Sequence, residues 1–149
     1  MKEPDLKYIK KDLESLSKMV NSLCTVFDIC QKIGVKNTYT EEEFMYFDVL
    51  TSRFSRLSDY LIQKTFRTID KMDDEDTGTV RDRLNRAEKK DLITNTDDFA
   101  DIRNLRNNIA HEYIPEEMAE IFHSVLNYTP MLKDSVDRIK KYCKENYDL

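Results

Sequence analysis

Arg106, Asn107, His111 and Tyr113 fall within RNNIAHEY, residues 106–113, in the spacing Arg-Asn-x-x-x-His-x-Tyr. A guanidinium holds phosphate oxygens through several N–H donors and stays charged at any physiological pH. An imidazole exchanges a proton near neutrality. The pair therefore suits phosphodiester chemistry on RNA, which supplies its own nucleophile. A base takes the proton of a ribose 2′-hydroxyl, that oxygen attacks the adjacent phosphorus, and a fixed cation stabilises the added negative charge. That route needs no metal. The plainer role for the same residues is structural, with Arg106 paired to Asp98 or Asp101, His111 a cation at a helix C-terminus and Tyr113 an edge of the core.

Other chemistry has weaker support. Glu120-x-x-His123 has the spacing of one half of a di-iron site, but no second such pair exists because Asn108 stands three residues before His111. His123 therefore reads as a surface residue. With only 2 Gly there is little room for a phosphate-cradling loop. Cys24, Cys30 and Cys143 are odd in number and lack Cys-x-x-Cys spacing, so they predict neither a disulfide framework nor a zinc site. Cys24 and Cys30 lie on or beside an apolar stripe, where an inert thiol is expected.

The elements that position RNNIAHEY are helical. Ile9, Leu13, Leu16, Val20, Leu23, Phe27 and Cys30 recur in steps of three and four, predicting a helix from about Pro4 to Ile33 stopped by Gly34. Thr40-Glu41-Glu42-Glu43 is a capping box that opens a second helix. Its stripe of Phe44, Phe47, Leu50, Phe54, Leu57 and Leu61, continued to about Ile69, reads as hydrophobic core. The acidic run 73–76 followed by Thr77 and Gly78 makes the main loop, without the ligand spacing of an EF-hand.

Val80 to about Lys90 predicts a short helix whose Arg81, Arg83, Arg86, Lys89 and Lys90 are mostly solvated, with a shallow phosphate-binding patch as the alternative. Thr94, Asn95 and Thr96 cap a helix running to about Glu112, anchored by Phe99, Ile102, Leu105 and Ile109. Pro115 predicts a break just after Tyr113. The stripe from Met118 to Cys143 keeps one phase across Pro130, favouring one kinked helix over two.

Few turn-makers and 36% charged residues describe an all-α chain, and 149 residues make one domain, 1–149. The expected architecture is an antiparallel helical bundle of four to five helices. A net charge of −5 argues against a protein that coats nucleic acid indiscriminately. No apolar run approaches the ~20 residues of a membrane span, and the unpaired thiols fit a reducing cytoplasm. No membrane or DNA partner is expected.

Arg106-Asn107-x-x-x-His111-x-Tyr113 in its DFADIRNLRNNIAHEY setting, at the end of the penultimate long helix, resembles the HEPN domain (higher eukaryotes and prokaryotes nucleotide-binding), specifically its bacterial HepT toxin branch. The resemblance spans the chain in helix order and length. It implies a homodimeric, metal-independent endoribonuclease with its site in a cleft between protomers. Arg106 would bind and polarise the scissile phosphate, His111 would be the acid or base, and Asn107 would orient the site. Toxins of this branch are encoded with a minimal nucleotidyltransferase antitoxin that transfers AMP from ATP to the motif tyrosine, here Tyr113. The adduct would add bulk and negative charge beside the cleft. The toxin itself then needs no cofactor, ATP serving only its partner. The alternative is a non-catalytic helical adaptor, or substrate-binding subunit, of such a transferase.

Spacing adds one condition. Residues five apart on a straight helix differ by ~140° in direction, whereas Tyr113 shares the face of Arg106. Arg106 and His111 converge only if the helix loosens before Pro115 or a second protomer completes the site.

Overall fold

The computed structural model describes residues 3–111 and 115–149. They form α1 (Glu3–Ile33), α2 (Glu41–Asp59), a π-helical segment (Tyr60–Thr65), α3 (Phe66–Met72), α4 (Val80–Lys89), α5 (Thr96–His111) and α6 (Pro115–Tyr147). No strand occurs among the described residues. Since α2, the π segment and α3 run on without a break, the described residues make five helical rods, within the expected range.

The ends follow local chemistry. Gly34 stops α1 with a positive φ of 76°, and its N–H bonds the carbonyl of Cys30 at 2.9 Å. At α2 both halves of the capping box form, between Thr40 and Glu43. Thr79 and Asp82 repeat the device at α4. Gly78 precedes it at φ 82°, where an added Cβ would sit 2.3 Å from the Asp82 carboxylate. Asn95 caps α5 by accepting from Asp98 N–H at 3.1 Å.

Long-range contacts give the directions. Arg53 meets Ser22 and Tyr60 meets Asp12, so α1 and α2 are antiparallel. Phe122 stacks on Phe47 with ring centroids 4.5 Å apart, and Tyr142 and Tyr147 reach Asp73, so α6 runs parallel to the α2–α3 rod. α6 is continuous through Pro130, which removes the two-helix alternative. Beside that proline, the Thr129 hydroxyl donates to the Val125 carbonyl at 2.7 Å.

One core receives residues from every rod, including Leu16, Leu23, Phe47, Phe54, Leu84, Phe99, Phe122 and Ile139, each essentially inaccessible to solvent. The aromatic face of α2 is thus core, as its period predicts. Among the described residues, no helix is long and apolar enough to cross a membrane.

Two features depart from expectation. The first is the π segment, where Phe66 N–H bonds the carbonyl of Leu61, five residues back. Arg83 of α4 donates to the Ile62 carbonyl at 3.1 Å, supplying a partner where the helix has changed register. The second is that the α4 cations are not mostly solvated. Arg86 and Lys90 turn inward onto the buried Asp70, each at 2.9 Å, and only Arg81 and Lys89 point outward as exposed charges. A carboxylate brought to the α3–α4 contact by folding makes inward burial favourable for those two cations.

Candidate functional site

Arg106 reaches its position beside the buried seam of α5, where Phe99, Ile102 and Leu105 are packed into the core. Its partner is neither Asp98 nor Asp101 but Asp59, the last residue of α2 before the π segment. Nε of Arg106 lies 2.8 and 2.9 Å from the two carboxylate oxygens. This hydrogen bond, together with the field of the carboxylate, raises the guanidinium pKa further above its ordinary value. The cation is permanent and fixed in direction. Asp101 instead accepts from the Tyr128 hydroxyl at 3.4 Å.

The Arg106–Asp59 pair stands on the wall of an open groove of about 870 Å³ between α2 and α5. Val49 and Ile109 give it apolar lining, while Ser52, Arg53 and Arg56 extend its polar side. Over the crest of α2, Arg53 and Arg56 also line a second depression of about 180 Å³, completed by Lys18, Met19 and Ser22 of α1. Sequence reading missed Asp59, Arg53 and Arg56. Their shared turns on α2, at positions 53, 56 and 59, were the available signal.

The other motif residues diverge. Asn107 is exposed and does not line the groove. His111, the last residue of α5, is also exposed and outside the groove lining. Because α5 is α-helical through His111, Arg106 and His111 lie ~140° apart around it. Loosening of the helix between these two residues is therefore ruled out as the way they converge. Tyr113 and the expected break after it lie outside the described residues.

The remaining candidates behave as inert structure. Burial pushes the Cys30 thiol up to about 11 and Cys143 up to about 12, and raises Cys24 as well, so none offers a ready thiolate. His123 is exposed, and its ring lies 3.2 Å from the Asn127 amide. No group of three or more metal-ligating side chains is assembled among the described residues. Comparison of the chain with family models, with curated proteins and with solved structures finds no match to any of them.

Proposed function

We propose that the protein is a metal-independent endoribonuclease of the HEPN type, resembling HepT toxins, which acts as a homodimer. The observation that carries this reading is Arg106, a permanently charged guanidinium aimed by Asp59 along a groove that bears two further arginines in an acidic chain. In the reaction Arg106 holds the scissile phosphate, Asn107 orients the substrate and His111 takes the 2′-hydroxyl proton. The 2′-oxygen bonds to phosphorus as the P–O5′ bond breaks, and the departing 5′-oxygen takes a proton from the imidazolium or water to leave as a hydroxyl. The ~140° between Arg106 and His111 on an unbroken helix supports a composite site, in which each protomer supplies one of the two to a shared cleft.

Tyr113 is the proposed acceptor of AMP from a minimal nucleotidyltransferase that uses ATP. The adduct's phosphate and adenosine would then exclude RNA from the cleft.

A test is RNA incubated with the purified protein in EDTA. Cleavage to 2′,3′-cyclic phosphate ends is expected, with loss in Arg106→Ala and in His111→Ala. Equal cleavage by those variants would sink the assignment. Modification is read by intact mass after incubation with ATP and the transferase. An AMP addition absent from Tyr113→Phe is expected, and no mass shift refutes that part.

One observation favours a second reading, a non-catalytic adaptor of the transferase. Arg106 already has a carboxylate partner, and within one chain the imidazole is not beside it. An adaptor binds the transferase and leaves RNA intact.

A further inference from the structure

We infer that Lys18, Arg53 and Arg56 form a phosphate-contacting track that carries single-stranded RNA from the Arg106 groove across α2 onto α1. This rests on the RNA-cleaving reading and adds to it where the substrate lies. Arg53 and Arg56 line both depressions, so the two are neighbouring hollows on one surface, with these arginines between them. Arg53 is fixed there by donating to the Ser22 carbonyl of α1 at 2.6 Å, and Arg56 lies one turn further along α2, with Ser52 at 3.3 Å.

What marks these cations is their grouping along two adjoining hollows. Arg67, Arg81, Arg86, Arg106 and Arg138 each pair with an aspartate, Arg83 is turned onto the Ile62 carbonyl, and Arg103 is exposed on α5 outside both hollows. Among the described residues no ion pair joins Lys18, Arg53 or Arg56 to a carboxylate. Of the two acids lining the groove, Asp59 is matched by Arg106 and Asp48 is itself engaged. A chain of net charge −5 thus presents three cations outside any ion pair along the two hollows beside its candidate site. That is a local complement to a phosphate backbone on a molecule that otherwise repels one.

Geometry sets the length of the occupant. The row crosses from α5 over α2 to α1, two interhelical spacings, or about 16–20 Å. At a stacked rise of ~3.4 Å per nucleotide this spans on the order of five nucleotides on one side of the scissile phosphate. The apolar lining of the groove suits the faces of bases, and its arginines suit their phosphates.

The test uses the full-length protein and a fluorescently labelled 2′-O-methyl oligonucleotide, which lacks the nucleophile and is not cut. Binding is followed by anisotropy across a salt series. For the variant Lys18→Gln/Arg53→Gln/Arg56→Gln, a loss of at least tenfold in affinity at low salt is expected. The slope of log K against log salt should fall in magnitude by about 2, near 0.7 per lost contact to a single strand. The single variant Arg56→Glu, at an exposed position, should move in the same direction without risk to folding. A control, Lys140→Gln/Lys141→Gln/Lys144→Gln, removes equal charge from exposed positions on α6 and should bind nearly as the parent does.

Parental affinity and slope in the track variant would overturn the track, while cleavage in EDTA would still stand for the enzyme. An equal loss in the α6 control would reduce the effect to bulk charge and overturn it too. A variant that keeps RNA but loses the nucleotidyltransferase would reassign the patch to an acidic protein face. No binding and no cleavage by the parent would remove the enzyme reading and the track together.

Discussion

Asp59 decides where Arg106 points. The RNNIAHEY motif is legible in the sequence because its residues are close together, but its orienting carboxylate is 47 positions away and joins only when α5 lies along α2. Reading along the chain offered Asp98 and Asp101 instead, on the same helix. Both members of the pair retain solvent contact, with the Asp59 side chain 46% exposed, so the pair is worth little to stability. Asp59→Asn should therefore shift a urea denaturation curve by less than about 1 kcal/mol. On the proposed RNA-cleaving reading, the same change should lower kcat/KM for RNA roughly tenfold, the equivalent of ~1.4 kcal/mol in the barrier, because Arg106 loses its fixed aim. Cleavage kinetics beside the melt separate the two effects, and an unaltered kcat/KM would show that the aim does not matter.

At the level of elements, the rods were legible in full outline. Their ends are written in local chemistry: Gly34, the capping box at Thr40 and the Asn95 cap. The π segment was not legible. Its doubled buried pairs, Leu61 with Ile62 and Thr65 with Phe66, fit a broad α-helical stripe as well as a widened turn. What distinguishes them is a backbone bond five residues long and a carbonyl served from another helix. Arg83→Met keeps much of the aliphatic stem of Arg83 but withdraws its donor from the Ile62 carbonyl, which is part-buried. A cost of about 1–2 kcal/mol is expected, whereas Arg81→Met, at an exposed pair with Asp97, should stay within ~0.5 kcal/mol. Chemical denaturation of both variants checks the difference; equal values would mean that water serves that carbonyl just as well.

Across the whole molecule, the inward charges hold the end of α6 to the 73–78 loop. Asp73 accepts from Tyr142 at 2.7 Å and from Tyr147 at 2.8 Å, and pairs with Lys90 at 2.9 Å. Burial pushes the Asp73 carboxyl up, but bonds from Lys90, Tyr142 and Tyr147 outweigh it and hold the pKa below the ordinary carboxylate value. Its contribution to stability is thus present above pH ~4 and lost as pH falls through the lowered value. Burial lowers Lys90, yet its bonds to Asp70 and Asp73 raise it overall. Burial and Asp73 both raise Tyr142 and Tyr147. Those contributions are present below pH ~10 and lost as pH climbs through the raised values. Stability by urea titration should form a plateau between these limits, with Asp73→Asn flattening its acid edge. None of this cluster was expected from the sequence, which read the α4 cations as mostly solvated.

The clasp at Asp73 has an optical consequence. The chain contains 8 tyrosines and no tryptophan, so its ultraviolet emission comes from phenols alone. A phenol whose hydroxyl donates to a carboxylate can lose excitation by passing its proton across that bond, and the hydroxyls of Tyr142 and Tyr147 both donate to one aspartate. Acid release of the α6 end should therefore brighten the protein's intrinsic fluorescence. In Asp73→Asn the native emission should already be high, giving a label-free signal for when the last turn of α6 is seated.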